Sequence, residues 1–136
     1  MSIPKTLTSM ALGRALQLGH LKLSDLDRPV IEFMPAINRK TIQPGVETIT
    51  LRDALMMKSG LRFEDRTLEN ELAMRFQGQA FFQKLFENTA PVTQRSKQYK
   101  YTGTDPLLVM MVLDQRVPGR VQDFIHKELI DRVVGD

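Results

Sequence analysis

The run from Leu107 to Leu113 constrains this chain more than any other segment, because it is unbroken apolar sequence directly behind Asp105-Pro106. Aspartate caps helices well and proline is preorganised at the first helical position, so the dipeptide predicts a helix over 106–115 with Asp105 as its cap. A helix that is apolar on every side is buried on most of them. The run is far short of the ~20 apolar residues that cross a bilayer. It therefore predicts a central core helix rather than a membrane span, and the rest of the chain must supply its cover.

That cover reads as mostly helical. Residues 5–18 carry Leu7, Met10, Ala11, Leu12, Ala15 and Leu18 as a broad apolar stripe at helical spacing, with Gly19 at the closing position. In 21–35, Ser24-Asp25 favours a turn, Pro29 opens a short helix and Pro35 closes the segment. Residues 38–47 form a loop around the turn signal Pro44-Gly45. Thr50-Leu51-Arg52-Asp53 has the capping-box pattern and predicts a helix through Leu51, Ala54, Leu55 and Met57, ended by Ser59-Gly60. A longer helix is expected over 68–88, with Leu72, Phe76, Ala80 and Leu85 on its buried side and Gly78 as a weak point. Pro91 to Thr102 reads as extended or irregular. After the break at Pro118-Gly119, Val121, Phe124, Ile125, Leu129, Ile130 and Val133 define a last amphipathic helix. Strand signals are confined to Thr48–Thr50 and Gln98–Tyr101.

Composition narrows the function classes. The 136 residues suit one domain, and the absence of cysteine excludes disulfides and thiolate sites. The 19 basic and 16 acidic residues are intermixed, and the densest basic cluster, Arg95, Lys97 and Lys100 with Tyr99 and Tyr101, is short, so no nucleic-acid partner is expected. His20 and His126 have no carboxylates at ligand spacing, which predicts no metal site, and no cofactor motif is present. The methionines, including Met56, Met57, Met110 and Met111, read as core filling. Glu64, Asp65, Glu69 and Glu71 read as a solvated acidic patch. The first residues lack the charged-then-apolar pattern of a signal peptide, so the chain as it stands reads as cytoplasmic.

Three elements bear on chemistry. Ser2 and Lys5 form Ser-x-x-Lys at a helix start, where residues three apart share a face. A serine hydroxyl needs a base to take its proton, and a lysine serves once burial or a neighbouring cation lowers its pKa. The alternative reading of Ser2 is an N-terminal cap. Tyr101 stands in the loop before the apolar helix, next to Lys100, where a phenol can act in proton transfer; the alternative is an ordinary packed aromatic. The segment Ile49 to Leu61 carries no obvious chemistry and counts as a signature.

In order, these elements are Ser-x-x-Lys, then Gly-His-Leu-Lys-Leu-Ser-Asp-Leu-Asp-Arg-Pro-Val (19–30), Ile-Thr-Leu-Arg-Asp-Ala-Leu with Ser-Gly-Leu (49–61), and Tyr-Thr-Gly-Thr-Asp (101–105) before an apolar helix. The whole resembles the serine β-lactamase-like hydrolases, nearest the class C β-lactamase, esterase and 6-aminohexanoate-dimer hydrolase branch. The resemblance implies that Ser2 is the nucleophile forming an acyl-enzyme, Lys5 its base partner and Tyr101 a second proton-transfer group. It implies a small ester or amide substrate. Gly103 stands where many relatives have a substrate-holding Asn, which favours an esterase- or amidase-like relative over β-lactam binding.

The resemblance also implies a fold class: mainly α, the helical part of the β-lactamase/transpeptidase-like α+β fold, with most of the sheet missing. Residues 1–136 are then one partial domain. Relatives carry a later strand with a Lys/His-Thr/Ser-Gly-like motif that lines the cleft and supplies an oxyanion-hole N–H, and they are often periplasmic or secreted. Nothing after Tyr101 matches that motif, and loss of one oxyanion-hole donor costs about 100- to 1000-fold in rate. The expectation is therefore a hydrolase fragment, weakly active or inactive alone. The alternative is a non-catalytic helical fragment that self-associates or docks on a sheet-bearing partner.

Overall fold

The computed structural model describes residues 5–63, 79–100 and 104–130. They form α1 (Lys5–Gln17), α2 (Leu51–Leu55), α3 (Gln79–Asn88), α4 (Thr104–Arg116) and α5 (Val121–Ile125), the last running into a π-helical turn, His126–Ile130. Short 3₁₀ turns, Leu23–Asp27, Val30–Phe33 and Val46–Thr48, fill the connection between α1 and α2. The described residues contain no strand, so the architecture is mainly helical.

The apolar run is the centre of the molecule. Every residue of α4 from Thr104 to Leu113 is buried, and α1, α2, α5 and the Val30–Phe33 turn all pack on it. Asp105 lies inside the helix rather than capping it from outside. No helix among the described residues is long and apolar enough to cross a membrane.

Helix α1 meets the core through Thr8, Ala11, Leu12 and Ala15. Two alanines allow close approach, and the face they share with Thr8 turns Met10 outward, half exposed. Leu18, also expected in the stripe, falls in the closing turn and is exposed. That turn is the predicted one: Gly19 has φ +82°, its N–H reaches Leu16 O at 3.2 Å, and His20 N–H reaches Ala15 O at 2.9 Å.

The expected strand at Thr48–Thr50 is absent. A 3₁₀ turn occupies Val46–Thr48, and only Ile49 and Thr50 are extended. They make one isolated antiparallel bridge, in which Val30 N–H donates to Ile49 O at 2.8 Å and Leu51 N–H to Arg28 O at 3.1 Å. Thr50 is committed to capping α2. Its Oγ1 accepts from Asp53 N–H at 3.0 Å while Asp53 Oδ2 accepts from Thr50 N–H at 3.1 Å, completing the predicted capping box. Residues 98–100, the described part of the other strand candidate, are irregular.

Helix α3 covers the end of the expected 68–88 helix, burying Phe82, Leu85 and Phe86. Leu72, Phe76 and Gly78 lie outside the described residues, as do the four acidic residues 64, 65, 69 and 71. Met57, Met110 and Met111 are core residues as expected, whereas Met56 is about half exposed. In α5, Val121, Phe124 and Ile125 are buried.

Two features yield tests of the fold. Gly45 has φ +88°, and a Cβ there would collide with the Val92 carbonyl, because Val92 N–H bonds to Pro44 O at 2.9 Å. Gly45→Ala is expected to cost well over about 1 kcal/mol in chemical denaturation. Asp25 is buried, which disfavours its charge. The Lys22 N–H at 2.9 Å, the Arg28 guanidinium at 3.1 Å and the charge of Arg116 outweigh that and hold its pKa below the ordinary value. A depressed carboxylate pKa stabilises the fold above its unfolded value, and the contribution is lost as pH falls through the folded one. Asp25→Asn is expected to flatten the acid limb of a melting-temperature profile below about pH 4.

Candidate active site

Of the residues the sequence singles out, Ser2, Tyr101 and Gly103 lie outside the described residues, and Lys5 is described only as the start of α1. What the structure does describe is the framework around them. One turn beyond Lys5, Thr8 lines a narrow crevice with Ala54, Leu55, Met57, Pro106 and Val109. The early part of α1, the end of α2 and the first turn of α4 therefore converge. These are the elements nearest in sequence to Ser-x-x-Lys, Ser-Gly-Leu and Tyr-Thr-Gly.

The feature missed by sequence reading lies in the signature segment. Helix α2 was expected to run through Met57 to Ser59-Gly60, but it stops at Leu55. The helix closes on a left-handed residue that is not glycine. Met57 has φ +60°, its N–H donates to Ala54 O at 3.2 Å, and Lys58 N–H donates to Asp53 O at 2.7 Å. This pairing normally ends on glycine, whose missing Cβ makes left-handed backbone inexpensive. The Met57 carbonyl then accepts from Lys100 N–H at 2.9 Å.

Two residues on, Ser59 meets Asp105. Ser59 Oγ donates to Asp105 Oδ1 at 2.6 Å and Ser59 N–H to Asp105 Oδ2 at 3.2 Å, while Ser59 Oγ accepts from Leu61 N–H at 3.3 Å. Both residues are only 1% exposed. A buried carboxylate is costly unless its oxygens are matched by donors, and Ser59 supplies one to each. Aspartate in a Thr-Asp-Pro context reads as a cap, and nothing local names a partner 46 positions away.

The loop leading to Tyr101 is fastened along its length. Gly60, at φ +82°, lets Ser96, Val92 and Lys97 approach closely. Lys97 Nζ bonds Thr48 O at 2.8 Å and pairs with Asp53 Oδ2 at 3.1 Å. The Arg62 guanidinium donates to Leu61 O at 2.8 Å and Ser96 O at 3.1 Å. Lys97 thus belongs to a packed turn and not to a solvated basic patch, while Arg95, Tyr99 and Lys100 are exposed.

Elsewhere, His20 is partly buried and sets its ring edge-on to Phe124 at 5.9 Å. His126 is exposed. Among the described residues no cluster of three or more His, Cys, Asp or Glu residues could hold a metal. A groove of about 310 Å³ lies beside Leu18, His20, Phe124 and Lys127, at the opposite end of α1 from Lys5.

No protein-family model matches the chain, and no curated protein matches it. Among solved structures it is similar to the crystal structure of a D-stereospecific amidohydrolase from Streptomyces sp., with a TM-score of 0.66 and 19% identity. The match covers 95% of this chain and 40% of that one. At this identity the likeness shows the fold. The mainly helical chain shares the fold of part of that larger structure.

Asp105→Ala would leave the buried Ser59 N–H and hydroxyl without their acceptor. The expected loss is about 1–3 kcal/mol for each stranded group, read as a lower urea midpoint at unchanged slope.

Proposed function

We propose that this chain carries the helical portion of a β-lactamase-related serine hydrolase that cleaves an ester or amide through an acyl-serine. The observation that carries this reading is the structural match over nearly the whole chain to an amidohydrolase. It agrees with a family resemblance drawn independently from motif order.

In this proposal Ser2 Oγ attacks the substrate carbonyl and gives up its proton to neutral Lys5. The resulting oxyanion collapses, the C–O or C–N bond breaks, and the leaving group takes a proton delivered through Lys5 and Tyr101. Water then attacks the acyl-serine ester, its proton passes through the same groups to Ser2 Oγ as the acyl–Oγ bond breaks, and the acid is released. Gly103, where relatives place a substrate-holding Asn, favours a simple ester or amide over a β-lactam.

The chain spans about 40% of the length of the structure it matches. The proposal assigns the oxyanion-hole strand to the remainder of that fold, which a partner or adjoining sequence would supply. Without one oxyanion donor, turnover by the isolated chain is expected to be about 100- to 1000-fold below that of the complete site.

A fluorophosphonate probe followed by intact-mass and peptide analysis tests the assignment. The expected result is a single adduct on Ser2 that Ser2→Ala removes, together with p-nitrophenyl ester turnover. An unlabelled Ser2, or turnover unaffected by Ser2→Ala, would exclude it.

A further inference from the structure

We infer that the paired segments 56–62 and 93–100 form a basic docking surface for an anionic lipid bilayer, with Met56 and Tyr99 entering its headgroup layer. The contact is peripheral and independent of the chemistry assigned to Ser2.

Neither segment stands out alone. The first contributes Lys58 and Arg62, the second Arg95, Lys97 and Lys100, and neither contains Asp or Glu. The fold makes them neighbours. Lys100 N–H donates to Met57 O at 2.9 Å, which sets Tyr99 and Lys100 beside Met56 and Lys58. The Arg62 guanidinium donates to Ser96 O at 3.1 Å, and Gly60 lets Ser96 and Lys97 approach closely. Five cations are thereby gathered where the sequence shows groups of two and three.

Their charge is only partly offset among the described residues. Asp53 pairs with Lys97 at 3.1 Å, and Asp105 is buried against Ser59. Arg62 and Lys97 spend donors on backbone carbonyls, so they add to the local field from within the packed turn. Lys58, Arg95 and Lys100 are exposed and form the contact layer. A surface of one sign attracts an extended surface of the other.

The apolar side chains identify the partner. Met56 is 48% exposed and Tyr99 60% exposed, among the same cations. A tyrosine ring suits the headgroup level of a bilayer, and a lysine stem lies along apolar groups while its ammonium stays with phosphate. A polynucleotide would stack on Tyr99 and pair its phosphates with the cations, but it gives Met56 nothing to enter. A lipid surface uses both apolar side chains as well as the charges. No helix among the described residues is long and apolar enough to cross a membrane, so the contact is made at the surface.

Co-sedimentation of the full chain with vesicles tests this. Vesicles of equal phosphatidylglycerol and phosphatidylcholine are expected to bind the chain, and pure phosphatidylcholine to bind it far more weakly. Each lysine beside an anionic surface is worth about 5-fold in partitioning, so Lys58→Gln with Lys100→Gln is expected to lose roughly 25-fold. Arg39→Gln with Lys40→Gln removes the same charge from an exposed loop elsewhere and is expected to change little. Molar salt is expected to abolish binding. The chain has no tryptophan, so Tyr99→Trp places a single reporter in the surface. Its emission is expected to move to shorter wavelength on the anionic vesicles and to stay put with inorganic phosphate, and Met56→Ser is expected to weaken partitioning.

Equal losses from the two charge pairs would reduce the effect to net charge and overturn the inference. So would a Tyr99→Trp emission that does not move when the chain is bound. Tighter binding to a single-stranded oligonucleotide or to poly-glutamate than to the vesicles, at the same salt, would overturn it in favour of that polyanion. None of these readouts depends on Ser2, so failure here leaves the hydrolase reading standing, and failure of Ser2 labelling leaves this surface standing.

Discussion

Everything in this structure depends on burying α4 on all sides. Its residues from Pro106 to Leu113 present apolar surface in every direction, and such a helix is stable in water only when enclosed. That requirement explains why α1 offers a face of Thr8, Ala11, Leu12 and Ala15, why α2 and the Val30–Phe33 turn press from another side, and why α5 returns across it. It also explains the treatment of Asp105. The helix brings this carboxylate into the core with it, where the two donors of Ser59 contribute to offsetting its burial.

That pairing joins two elements far apart in sequence. The same bonds that satisfy a buried charge connect the segment after α2 to the first turn of α4. The left-handed Met57 makes the connection geometrically possible, because it reverses the chain sharply enough for Ser59 to reach α4. Local strain at Met57 is thus set against buried hydrogen bonds that form only when the chain turns there.

Much of the framework was legible in the residues. The buried helix behind Asp105-Pro106, the glycine closure of α1, the capping box of Thr50 and Asp53, and the turn at Gly45 each rest on short-range chemistry that adjacent residues encode. Other readings failed for physical reasons. Met10 and Leu18 are apolar, but small residues set the packing face of α1 and turn them outward. Thr48 to Thr50 has strand-like composition, yet Thr50 is worth more as a cap than as a ladder residue with no sheet beside it. Ser59 looked like a helix-ending signal, whereas its partner is 46 positions away. The catalytic set Ser2, Lys5 and Tyr101 comes from the order of motifs and belongs to the proposal.

The sequence by itself determined the helical class, the central helix and the caps, because propensity, apolar spacing and capping act within a few residues. Only the tertiary structure decided that Met57 is left-handed, that Asp105 is bound to Ser59, and that the Met57 carbonyl accepts from Lys100 N–H. Those outcomes depend on which distant donors burial brings beside a carboxylate, and no local pattern states that.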